Sequence, residues 1–142
     1  MYKNKMHLEF DAVSENEAFA RVTAAAFATQ LDPTLEEIAD IKTAVSEAVT
    51  NAIIHGYGED KGTVFMDCGL TGNVLEVIIK DKGKGIEDIE KAKEPMYTTK
   101  PERERSGMGF TFMEIFMDNL IVESVPGEGT TVTMKKTMGK VE

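Results

Sequence analysis

Two segments of alternating hydrophobicity joined by a tight turn constrain this chain most. Leu75, Val77 and Ile79 recur every second residue from Val74 to Asp81, and a similar segment runs from Thr63 to Leu70. Thr71-Gly72-Asn73 between them is a turn, so the two read as paired strands. The pattern returns near the C-terminus, where Leu120–Val125 and Thr130–Lys136 flank Pro126-Gly127-Glu128-Gly129. An opening strand alternates Met6, Leu8 and Phe10 with polar neighbours. These strands do not alternate with helices as β-α-β units. The expected fold is therefore α+β, a two-layer sandwich whose sheet is mixed or mostly antiparallel with helices on one face.

Helical segments fill the remainder. Ser14 and Glu17 have the spacing of a capping box, opening a helix to about Leu31 with Phe19, Val22 and Ala26 inward. Asp32-Pro33-Thr34 starts a second helix, with Pro33 in its first turn. Ile38, Ile41, Val45, Ala48, Ala52 and Ile53 share one face of it, and Gly56 and Gly58 close it. From Gly83 to Gly107 the chain is charged, carries Pro95 and Pro101, and supports one helical turn at most, near Ile86–Ala92. A loop of that length inside a compact domain is usually functional. A helix from Gly109 to Met117 follows, and the tail after Thr137 is expected to fray.

With 142 residues the chain has the size of one domain, residues 1–142. Its net charge of -9 argues against direct nucleic-acid binding, which needs cations against phosphates. Cys68 is the sole cysteine and His7 and His55 the only histidines, so a disulfide framework or a cysteine-rich zinc site is excluded. No apolar run approaches membrane-spanning length, and the N-terminus leads into an alternating segment rather than a signal core; a cytoplasmic location is expected.

Three short blocks carry the chemistry. Glu47 and Asn51 lie four apart on the second helix, about 40° from each other, on a stripe expected to lie away from its apolar face. By itself such a pair is more often a solvated face. As a site, a carboxylate can take a proton from a hydroxyl, and an amide oxygen can ligate magnesium without adding charge beside phosphates. Asp81 is in phase with Leu75, Val77 and Ile79, which points it toward the core, where a carboxylate needs donors. An adenine amine is one such donor, and Gly83 and Gly85 would leave room for a purine. The bland alternative is a turn cap with two glycines at positive φ. Ser106-Gly107-Met108-Gly109 sits where loop becomes helix, an arrangement that presents backbone N–H groups to an anion beside Arg105. A simple flexible joint would read the same way. Neither a Walker A sequence nor a His-Arg-Asp catalytic loop is present.

Taken in order, Glu47…Asn51 on a helix, Asp81-x-Gly83-x-Gly85 after a strand, a long loop and Gly107-x-Gly109 resemble the ATP site of the gyrase, Hsp90, histidine kinase and MutL superfamily. Gly129-Thr130 resembles its late Gly-Thr pair. The wording around the blocks, Ser46 to Gly56, Thr98 to Glu102 and Glu104 to Phe110, is similar to the anti-sigma-factor serine kinases of sporulation within that superfamily. The resemblance implies a Bergerat-type sandwich with a mobile ATP lid at about 93–106. It implies Glu47 as general base, Asn51 as magnesium ligand and Asp81 as adenine acceptor. Gly83, Gly85, Gly107 and Gly109 would shape the pocket, with Arg105, Ser106, Met108 and Thr130 beside the nucleotide. It also implies a homodimer that binds a sporulation sigma factor and phosphorylates a serine of an anti-anti-sigma protein.

Arg21, the only Lys or Arg between Lys5 and Lys42, is either a surface partner of Glu17 or a contact for an acidic patch on a binding partner. Two other functions stay open. One is a module that binds ATP without turnover; retained Glu47 speaks against it. The other is a histidine-kinase catalytic domain, for which no helix hairpin with a phospho-acceptor histidine is visible. A gyrase- or Hsp90-like ATPase lacks room for a transducer domain.

Overall fold

In the computed structural model, residues 2–93 and 109–139 are described. The elements are β1 (Asn4–Asp11), α1 (Glu15–Ala28), α2 (Leu35–Asn51), β2 (Thr63–Thr71), β3 (Val74–Asp81), α3 (Ile89–Ala92), α4 (Gly109–Phe116), β4 (Asn119–Val125) and β5 (Gly129–Thr137). The strands form one sheet in the order β1-β2-β3-β5-β4, and every neighbouring pair is antiparallel. Of the two expected arrangements, the fully antiparallel one forms. It closes two hairpins, β2–β3 through Gly72 and β4–β5 through Gly127, both at positive φ.

One sheet face carries Val64, Met66, Cys68 and Leu70 of β2, Leu75, Val77 and Ile79 of β3, and Val132 and Met134 of β5. Ile41, Ala44, Val45, Ala48 and Val49 of α2 lie against it, with Phe110 and Met113 of α4 alongside. Burying large aliphatic side chains at about 1.5–3 kcal/mol each makes this layer the main stabilising contact of the fold. Cys68 is sealed inside it, and burial pushes its thiol up to about 12, which leaves it protonated and inert.

Several local expectations are corrected. Ser14 occupies the N-cap of α1 but makes no side-chain cap hydrogen bond, because its backbone is already helical. The capping box forms at α2 instead: Thr34 Oγ1 accepts from Glu37 N–H at 3.0 Å, and Glu37 Oε1 accepts from Thr34 N–H at 2.8 Å. Pro33 thus precedes the cap rather than entering the first turn. In α1 the buried residues are Ala20, Ala24, Ala25 and Ala28, while Phe19 and Val22 are 57% and 53% exposed and Ala26 is exposed too. Small side chains let α1 pack against α2, and that packing overrides the pull of the larger residues. The C-terminal segment does not fray at once. Met138 is buried, its N–H donates to Asn73 O at 2.8 Å, and Gly139 N–H donates to Glu37 Oε2 at 2.9 Å.

Candidate active site

Asp81 ends β3 as the fourth residue of the series Leu75, Val77, Ile79, and it is only 3% exposed. Gly83 N–H donates to its Oδ1 at 2.9 Å, and the Thr130 backbone N–H is a second donor. Burial raises its pKa above the usual carboxylate value, and these two amides partly offset the rise. A carboxylate has about four acceptor positions, so two amides leave capacity for an incoming donor.

Glycines frame this carboxylate because backbones crowd it. A Cβ on Gly56 would stand 2.8 Å from the Asp81 carboxyl carbon. One on Gly83 would stand 2.0 Å from Gly56 O, and one on Gly129, where φ is 120°, 2.1 Å from Asp81 O. Gly85 has φ of 77°, and its Cβ would meet Val125 O at 2.4 Å. Glycine at 83 and 85 thus admits neighbouring backbone, and glycine at 56 lets the chain lie directly against the Asp81 carboxylate.

The elements delivering these groups are locked together. After Asn51 the helix widens into a π-turn over Ala52–Tyr57 that ends at Gly58 with φ of 62°. Such widened turns often sit at functional sites. This one places Gly56 on Asp81, and Gly56 O accepts Lys84 N–H at 2.9 Å. Tyr57 follows: its hydroxyl accepts Lys82 N–H at 2.8 Å and donates to Thr63 O at 2.6 Å. On the far side, Gly127 N–H donates to Lys84 O at 2.6 Å. Residues 82–86 are thus held from both flanks.

Glu47 and Asn51 are half-buried on the last turns of α2, bordering Ala44 and Ala48 rather than opposing them. The buried face of α2 is broad enough to reach this stripe, which corrects the expectation of a stripe far from the core. Asn51 offers one neutral oxygen where α2 becomes the π-turn. Among the described residues no three His, Cys, Asp or Glu side chains cluster to hold a metal. That donor set fits magnesium carried chiefly by phosphates and water. Gly109 begins α4, which packs beside α2. Arg105, Ser106, Gly107 and Met108 lie outside the described residues, as does the expected lid except for Lys93. Arg21 Nε stands 3.2 Å from Glu17 Oε2, the surface pairing that its spacing allows.

Sequence reasoning missed Gly56, Tyr57 and Ser124. The signal at Gly56-Tyr57-Gly58 was absorbed by helix termination. Ser124 could have been reached from the Pro126–Gly129 hairpin, whose register sets it opposite Thr130.

Residues 10–136 match the family model of the histidine kinase-like ATPase domain. The anti-sigma F factor of Clostridium acetobutylicum is 61% identical over 143 residues, covering 100% of this chain and 99% of that protein. The anti-sigma F factors of a Geobacillus species and of Bacillus subtilis are 58% and 57% identical over 139 residues, each covering 97% of this chain and 95% of the relative. The chain belongs to the anti-sigma F factor family. Its fold is shared with a crystal structure of RsbU and RsbW domains from Mycobacterium tuberculosis, with TM-score 0.68 at 22% identity over 96% of this chain and 32% of that one. Membership in the anti-sigma F factor family carries the Bergerat-type α+β fold and an ATPase domain, as the resemblance implied. Among the described residues, no helix is long and apolar enough to cross a membrane.

Proposed function

We propose that residues 1–142 act as one domain, an ATP-dependent anti-sigma factor that is also a protein serine kinase. The observation that carries this reading is Asp81, a carboxylate buried to 3% exposure that accepts from two backbone amides and so keeps acceptor capacity for an incoming amine. In this reading Asp81 accepts the adenine amine, and Thr130 flanks the base. Arg105, Ser106, Gly107, Met108 and Gly109 supply amides and positive charge for the phosphates, on the strength of their spacing. Asn51 would hold magnesium, which would offset the charge of the phosphates. Glu47, four residues earlier on α2, receives the proton of the acceptor serine as its oxygen bonds to the γ-phosphorus, the bond from that phosphorus to the β,γ-bridging oxygen breaks, and ADP leaves.

The names of the relatives support a sigma factor as partner, and the acceptor serine belongs to an anti-anti-sigma protein that competes for it. The active species is a homodimer in the cytoplasm. A lid carrying Lys100, Arg103 and Arg105 orders on a γ-phosphate, so ATP and ADP present different surfaces to these partners. Arg21 contributes a contact to an acidic patch on a partner, exchanging its bond to Glu17 for an intermolecular one. Titrating the sigma factor into the protein with ATP or with ADP tests the regulatory half. Tighter binding with ATP, weakened by Arg21→Ala without change in ATP affinity, is expected. Equal affinities in the two nucleotides would exclude nucleotide-controlled partner choice.

A further inference from the structure

Asp81, Thr130 and Ser124 stand in one row across three adjacent strands. Asp81 is directly opposite Thr130 in the β3–β5 pair, and Thr130 is directly opposite Ser124 in the β5–β4 pair. Directly opposed residues project to the same sheet face, so all three share the face on which Asp81 and Thr130 are buried.

Among the described residues the hydroxyl of Ser124 makes three contacts. It accepts Ile86 N–H at 2.7 Å, lies 3.0 Å from Gly129 O, and lies 2.9 Å from Thr130 Oγ1. A serine hydroxyl has one proton and two lone pairs. The carbonyl of Gly129 can only accept, so the Ser124 proton goes there. The amide of Ile86 takes one lone pair. The other lone pair is then left for Thr130, which must be the donor in the contact between the two hydroxyls. This arrangement satisfies all three contacts together, whereas the reverse orientation leaves Gly129 O without the Ser124 proton. Its consequence is chemical: the Thr130 hydroxyl has spent its proton and offers only lone pairs to anything beside it.

We infer that Ser124 is a specificity-determining residue that acts through Thr130, fixing the row beside the base as all-acceptor and so selecting a 6-amino purine over a 6-oxo purine. This rests on the adenine-pocket reading above. Ionised Asp81 and a proton-spent Thr130 both suit an amine with two hydrogens. Both repel an oxo group. Without the Ser124 hydroxyl, Thr130 can rotate its proton toward the base and accommodate an oxygen. Ser124 also ties Ile86, and with it the loop that begins at Gly83, to the β4–β5 hairpin. A purely structural role would therefore weaken all nucleotides alike.

The test compares equilibrium binding of ADP and inosine diphosphate to the full chain, which separates binding from turnover. The parent protein is expected to prefer ADP. Ser124→Ala should narrow that preference by about fivefold, the effect of one hydrogen bond of ordinary net strength, while Ser124→Thr, which keeps the hydroxyl, restores it. Equal loss of both ligands in Ser124→Ala, with the preference intact, would overturn the inference. Should Ser124→Ala not fold, Thr130→Val should narrow the preference and Thr130→Ser retain it; an unchanged preference in Thr130→Val would equally overturn it. Equal binding of the two ligands by the parent protein would instead remove the adenine reading of Asp81, and the inference with it.

Discussion

Burying a carboxylate to 3% exposure with two amide donors leaves Asp81 acceptor-rich in surroundings that disfavour its charge. In the proposed reading an adenine amine resolves that conflict. Asp81→Asn sets an amide donor against the amine in part of its orientations and should cost about 1–3 kcal/mol in nucleotide binding, measured by calorimetry. The raised pKa adds a pH signature. Only the ionised form accepts fully from the amine, so affinity should fall as pH drops through a value above the ordinary carboxylate range. Asp81→Asn should abolish that dependence, and a pH-independent parent would exclude the role. Asp81 was legible in the sequence because strand periodicity alone points it inward. Gly56 was not, since only the fold reveals that its missing side chain faces Asp81 across 24 intervening positions.

At the scale of elements, legibility followed the clarity of the period. Strands β2 and β3 emerge from alternation and one turn, within a residue of their observed bounds. Helix α1 was found but rotated wrongly, because its apolar residues encircle it and size favoured Phe19 and Val22 over the alanines. Packing against α2 decides the matter through close approach, a tertiary term that no single helix displays. The consequence is measurable by denaturant unfolding. Ala24→Leu should destabilise by about 1–3 kcal/mol through overpacking. Phe19→Ala in the isolated chain should stay within about 0.5 kcal/mol, as surface changes do. The reverse order would restore the original orientation. The π-turn after Asn51 was equally hidden, as Gly56 and Gly58 read only as an ending. Yet this turn carries Gly56 to Asp81 and Tyr57 to Lys82, linking the end of α2 to the end of β3.

At the scale of the whole molecule, Glu37 joins the start of α2 to the residues that follow β5. Its carboxylate accepts Thr34 N–H within the capping box and Gly139 N–H beyond β5, and these bonds, the first above all, hold its pKa below the ordinary 4.5. A depressed folded value means that the stabilisation is present above the unfolded pKa and is lost as pH falls through the folded one. Acid unfolding should therefore show a steeper loss for the parent than for Glu37→Gln below about pH 4.5; superimposable curves would exclude this linkage. The same global frame, one antiparallel sheet packed against α2 and α4, carries Asp81 at the end of β3 and Glu47 near the end of α2, the two residues on which the proposed phosphotransfer rests. The most direct measurement incubates the protein with γ-labelled ATP, magnesium and an anti-anti-sigma protein, then follows label onto serine. Transfer to serine is expected, falling by about 10²- to 10⁴-fold in Glu47→Ala while nucleotide affinity stays within a small factor. Label released only as free phosphate, or transfer undiminished in Glu47→Ala, would contradict the account.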